Sequence, residues 1–155
     1  MREAVCPVWA GVEDLFTLPG RSVETIVCGL STGPSAESVL KWAAALARQL
    51  DARLTVVHAE NHLEPMPVYP CDGEWRLWLR KMARDRITQL QADAGTDAEV
   101  WLEPGRPLEA LPPVAEYLGA DLLVIGKSPR RRLLEDFRSM SYDMVCDAPC
   151  PVASV

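Results

Sequence analysis

The sequence is poor in the residues that most often carry chemistry. It has two histidines, His58 and His62, and neither is flanked by the serine, aspartate or paired-acid spacing of a catalytic set. Its five cysteines, Cys6, Cys28, Cys71, Cys146 and Cys150, are an odd number without the spacing of a disulfide framework. No histidine lies near Cys146 and Cys150 to complete a metal site, so reduced, buried thiols are expected. No apolar run approaches the roughly 18 residues of a membrane span. The opening "MREAVCPVWAGVEDLFTLPG" lacks a basic region followed by an uninterrupted apolar core, so no signal peptide is expected and the chain reads as cytoplasmic. Positive charge is scarce as well. Sixteen Lys and Arg against 22 Asp and Glu give a net charge of −6, which excludes duplex nucleic acid or an anionic membrane as a partner for the whole surface.

What is present is ordinary for a globular chain. Of 155 residues, 48% are hydrophobic and 25% charged, enough for one domain with a real core and too little for two. Residues 1–22 hold Trp9, Leu15, Phe16 and Leu18 without a sustained period, and read as an extension that packs onto a domain over 23–155. From residue 24 the chain alternates. "ETIVCGL" (24–30) is a β-branched apolar run ending in the turn cluster "STGPS". Apolar residues at 39, 42, 43, 46 and 50 then follow helical spacing.

"ARLTVVHAE" (52–60) is a second strand, apolar nearly throughout, as in a sheet covered on both faces. The proline-rich stretch 61–73 is a loop. Trp75, Trp78, Leu79, Met82, Ile87 and Leu90 mark one face of a long helix, with the tryptophans most simply read as core. "AEVWLE" (98–103) and "ADLLVIG" (120–126) are further strands, a helix is expected over roughly 133–146, and "CPVASV" closes the chain as a fifth, short strand. Alternation of this kind implies right-handed crossovers and a mostly parallel, open sheet with helices on both faces. Pro112 and Pro113 fall inside the third crossover helix. Each removes a helical bond and clashes one turn back, at a cost of about 3 kcal/mol, which predicts a break near Leu111.

Five segments, taken together and in order, resemble the universal stress protein family. "IVCGLSTGP" (26–34) is similar to its first strand and turn, and "LKWAAALARQLDARLTVVHA" (40–59) to its first helix and second strand. "EPGRPLEAL" resembles its Gly-x-Pro turn, "LGADLLVIGKS" its fourth strand and glycine, and "DAPCPVASV" its ending. The resemblance implies a three-layer, Rossmann-like α/β fold with a five-stranded sheet. It also implies a homodimer, in which the final strand around Pro151–Val155 pairs antiparallel with its own copy.

Some members of the family bind ATP. The pattern they carry is Gly-x-x-Gly, nine residues, then Gly-Ser or Gly-Thr. Glycines let backbone N–H groups approach phosphates, and the next helix offers its positive end. Here the first glycine is Gly126, but the second position is Pro129, which has no N–H. Ser139 and Met140 stand where Gly-Ser would be, with Ser141 next. The acid that ends the family's first strand is Ser31. The resemblance thus marks Ser31, Ala59, Ile125, Gly126, Lys127, Ser128, Arg130, Ser139, Met140 and Ser141 as a degenerate nucleotide site. Each lost donor to a phosphate costs about 1.5–3 kcal/mol.

Arg130, Arg131 and Arg132 are either a solvated turn or bidentate phosphate donors that offset part of this loss. Two readings follow. One is a stress-response domain with weak or no ATP binding, acting as a dimer through an unidentified protein partner. The other binds ATP or AMP through arginine side chains. No catalytic or metal-binding residue is assigned, and slow ATP hydrolysis stays open.

Overall fold

The computed structural model describes residues 7–10, 22–60, 72–127 and 140–155. In chain order the elements are β1 (Val8–Ala10), β2 (Thr25–Gly29), α1 (Ala36–Leu50), β3 (Arg53–Glu60) and α2 (Asp72–Ala94). They continue with β4 (Glu99–Pro104), α3 (Pro107–Tyr117), β5 (Leu122–Ile125), α4 (Met140–Asp147) and β6 (Val152–Ser154). The strands form one sheet in the order β1-β6-β5-β2-β3-β4.

β2 pairs in parallel with both β3 and β5, β3 with β4, and β5 with β6. Side chains alternate across this sheet as a two-residue period requires. Ile26 and Cys28 join Val56 and Val124 under α1 and α2, whereas Val27, Val57, Leu123 and Val152 meet Leu111, Val114 and Met144 on the opposite face. Both faces are therefore core, which is why the central strands read as unbroken apolar runs.

The sheet has six strands rather than the expected five. The added strand is β1, from the N-terminal extension, and it pairs antiparallel with β6: Val8 opposite Ser154, Trp9 opposite Ala153 and Ala10 opposite Val152. The expected dimer through Pro151–Val155 took the outer edge of the last strand to be uncovered. That edge is instead occupied by the chain itself, since a strand edge is a row of unpaired donors and acceptors that any nearby strand can satisfy.

Three expectations about local structure need correction. α3 runs unbroken from Pro107 to Tyr117 through Pro112 and Pro113. Pro107 occupies the first turn, where its missing N–H costs nothing. The carbonyls that Pro112 and Pro113 leave without a helical partner belong to Leu108 and Glu109, on a turn that stays partly exposed, where water can bond them. Leu111, Pro112, Val114 and Ala115 are buried, so packing outweighs the local defect. The helix ends at Gly119, whose φ of 59° suits glycine, and Ala120 N–H then bonds back to Ala115 O at 2.8 Å.

The second correction concerns the tryptophans. Trp75 and Trp78 are exposed by 59% and 49% and stack on each other with ring centroids 4.8 Å apart. Among the described residues the buried positions of α2 begin only at Ala83 and continue with Ile87, Leu90, Gln91 and Ala94, so the apolar spacing of the earlier turns does not translate into burial. Cys146 is likewise exposed, against the expectation of burial, while Cys28 and Cys150 are buried.

One buried charge fixes α2 to the sheet. The Glu60 side chain, at the end of β3, is 0% exposed and meets Arg80 Nε at 3.2 Å. Arg80 Nη2 also donates to Leu102 O at 3.2 Å. Neither Glu60 oxygen has a hydrogen-bond donor among the described residues, so Arg80 is the main compensation for this carboxylate. Arg80→Met is expected to cost about 3 kcal/mol, and adding Glu60→Gln to recover part of it; urea denaturation that found both variants as stable as the parent would contradict this.

Burial also pushes the Cys28 thiol up from 9.0 to about 12. Above its ordinary value the unfolded chain has released this proton and the folded chain has kept it. The stabilisation is therefore whole below about pH 9 and is lost as pH rises toward 12. From about pH 9 to pH 10.5 the parent should lose stability faster than Cys28→Ala, by about 0.7 kcal/mol per pH unit at the start of this range and approaching about 1.4 at its end. Equal slopes in denaturation series would show that this thiol does not contribute.

Candidate functional site

Strand order reverses between β2 and β5: the chain leaves β2 toward β3 and β4, then returns to the other side for β5 and β6. The connections from the carboxyl ends of these two strands depart in opposite directions, and a crevice forms between them. In open α/β sheets this is where ligands bind. The structure has a cavity of about 360 Å³ there, within the range of small-ligand sites.

Five of the candidate residues line it: Ser31, Ala59, Ile125, Gly126 and Lys127. Met140 and Ser141 open α4. Ser128, Arg130 and Ser139 lie outside the described residues, as do Pro129, Arg131 and Arg132. Residues not anticipated from sequence complete the wall. Thr32, Gly33 and Ser35 follow β2, Val39 comes from α1, and Pro107 and Leu111 come from α3. The clue lay in the two turns "STGPS" and "GRP", each leading directly into a helix that points its first turn at the cavity.

His58 also lines the cavity. It is buried, and its Nδ1 lies 2.8 Å from Leu30 O. A carbonyl can only accept, so Nδ1 carries the proton and the ring is fixed against the β2 turn. This anchors the turn and leaves Nε2 as the acceptor nitrogen of the ring. Leu30 N–H in turn donates to Val57 O at 2.8 Å.

The phosphate end is less well equipped than a glycine loop would be. Lys127 N–H donates to Val155 O at 2.9 Å, and Val155 N–H to Ile125 O at 2.9 Å. The β5–β6 ladder thus extends past Gly126 and takes up a backbone donor in the segment that would cradle phosphates. Lys127 is the one charged side chain among the described residues lining the cavity.

The two glycines at this edge have packing reasons of their own. A Cβ on Gly29 would stand 2.6 Å from Leu111 Cδ1, and one on Gly126 3.1 Å from Val39 Cγ2. Neither glycine has a positive φ, so close approach rather than backbone conformation selects them.

The family model of the universal stress protein family matches residues 22–155. The chain belongs to the universal stress protein family. Among solved structures, universal stress protein UspA from Lactobacillus plantarum is 20% identical with a TM-score of 0.72, over 87% of this chain and 99% of that one. A universal stress protein in complex with cAMP is 24% identical with a TM-score of 0.61, over 87% and 98%. One from Archaeoglobus fulgidus in complex with dAMP is 22% identical with a TM-score of 0.60, over 85% and 96%. These likenesses establish the Rossmann-like fold. A search of curated proteins found no match. No helix among the described residues is long and apolar enough to cross a membrane.

If packing selects Gly126, Gly126→Ala should lower stability by about 1 kcal/mol without any ligand, because the β-branched Val39 is stiff. Gly29→Ala should cost less, since the tip of Leu111 can swing aside. Thermal melts showing Gly126→Ala unchanged would return the glycine to a purely ligand-binding explanation.

Proposed function

We propose that this chain is a stress-response regulatory domain whose crevice keeps the form of an adenine-nucleotide site but has lost most of its grip on phosphate. The observation that carries the reading is the pairing of Lys127 N–H with Val155 O, which removes a backbone donor next to Gly126. Sequence adds to it. Ser31 offers a hydroxyl where an acid would hold the ribose, and Pro129 has no N–H at all. The wall that remains is largely apolar, from Leu30, Val39, Val57, Leu111 and Ile125. It suits a flat, uncharged moiety better than a triphosphate.

On this reading the protein acts by contact with a protein partner and not by turnover. A second reading has a specific basis. Relatives of the same fold have been solved with cAMP and dAMP, and a crevice of the same kind is present here. In that case Ser128 and Arg130 to Arg132 would supply side-chain donors in place of backbone ones.

Isothermal titration of the purified chain with ATP and magnesium, after removal of any co-purified nucleotide, separates the two. No heat is expected up to about 1 mM ATP, which corresponds to binding weaker than about 4 kcal/mol. Ser31→Asp should strengthen binding of AMP by roughly tenfold or more, the worth of one charge-assisted bond. Micromolar ATP affinity in the parent, abolished by changing Arg130, Arg131 and Arg132 to alanine, would establish the second reading instead.

A further inference from the structure

We infer that the exposed side of α2 around Trp75, Trp78 and Met82 is a docking surface for an amphipathic helix with acidic flanks, presented by a protein partner. These residues stand at i, i+3 and i+7, the spacing that sets side chains in one stripe along a helix. They are exposed by 59%, 49% and 49%. The two indoles stack with their ring planes 19° apart, on the outside of the fold. The buried side of α2 is a different one. Ala83, Ile87, Leu90 and Ala94 are buried, and at about 100° per residue their centre lies roughly 120° around the helix from the stripe. The helix therefore has two apolar faces, and only one of them is used by the sheet.

Large apolar side chains clustered on an exposed face mark an interaction site. Tryptophan, methionine and arginine are the residues enriched at the centres of protein interfaces. The charge around the stripe then selects the partner. Residues 74–86 hold five Lys and Arg against two Asp and Glu, a net charge of +3 in a chain of −6. With Trp75, Trp78 and Met82 at the a and d positions of a heptad, Lys81 falls at g and Arg86 at e, one on each side of the stripe. Those are the positions at which one helix reads the charge of another.

These cations are available for that purpose. Lys81 forms no ion pair among the described residues. Arg86 lies near Glu37 of α1, but that carboxylate is already paired with Lys41 at 2.6 Å. A partner helix with an apolar seam covers the indoles, and carboxylates along its flanks meet Lys81 and Arg86. An anionic bilayer fits less well, because Glu74 and Asp85 are exposed on the same side and a continuous layer of headgroups would meet both. The inference rests on the proposed function only in taking the domain to act by protein contact. It does not draw on the crevice, so the nucleotide titration and the test below can each fail alone.

Two synthetic peptides of about three heptads test it, with leucine at a and d and either glutamate or lysine at e and g. Each is titrated into the full chain and judged on the backbone amide shifts of residues 75–86 alone. The glutamate peptide should shift these amides with a Kd below about 100 µM, at least tenfold tighter than the lysine peptide. Lys81→Glu combined with Arg86→Glu should reverse that preference. Trp75→Ala combined with Trp78→Ala should weaken the glutamate peptide at least tenfold and leave the thermal melt unchanged, since both rings are exposed. If the tryptophan variant does not fold, the charge reversal decides. Two peptides that bind alike, or a glutamate peptide that leaves these amides unmoved, would overturn the inference. So would phosphatidylglycerol vesicles that shift the same amides when the glutamate peptide does not, which would make the surface a membrane contact.

Discussion

Everything in this molecule depends on the pairing of β2 with β5. Four parallel pairs, from Ile26 opposite Leu122 to Gly29 opposite Ile125, join the half of the sheet built by β3 and β4 to the half built by β6 and β1. All four residues of β5 are buried, as are the first four of β2, so this seam lies in core on both faces. The start of the seam is pinned by Asp121, whose carboxylate accepts the N–H groups of Glu24 and Thr25, each at 3.0 Å. Its far end opens into the crevice because the chain departs from it in two directions. One constraint thus produces both the stability of the sheet and the location of the site.

The shape and the chemistry of that site have separate origins. Shape comes from packing: glycines at 29 and 126 admit Leu111 and Val39 to the strand ends, and His58 clamps the β2 turn. Phosphate chemistry requires free backbone donors and a positive helix end. Here a ladder bond extends through Lys127 and a proline follows at position 129. The shape of the crevice therefore has packing reasons that do not depend on a ligand, since cavity walls made of core residues are costly to change.

Much of the fold was legible because it rests on local signals. Continuous apolar runs marked β2, β3 and β5, and a periodic alanine-rich face marked α1. The candidate residues Ser31, Ala59, Ile125, Gly126 and Lys127 were reached through family resemblance, and they converge on one cavity. Val39, Leu111 and Pro107 were not anticipated, because membership in a cavity wall depends on how helices lie against a sheet and leaves no local mark. The same cause explains the other misses. β1 has three residues and no period, and exists as a strand only because β6 offers it an edge. Pro112 and Pro113 obey their local rule everywhere except where a buried helix face outweighs it. Trp75 and Trp78 carry a core-like spacing on turns of α2 where the described residues are not buried.

The most direct test of a crevice that has kept its shape and lost its grip on phosphate is the affinity increment that phosphate provides. Adenosine and ATP can be titrated into the same protein and followed through backbone amide shifts. The two are expected to bind alike, within about threefold, because the triphosphate finds few donors. ATP binding tenfold or more tighter than adenosine, a difference of about 1.4 kcal/mol, would show that the loop still holds phosphate and contradict the central claim.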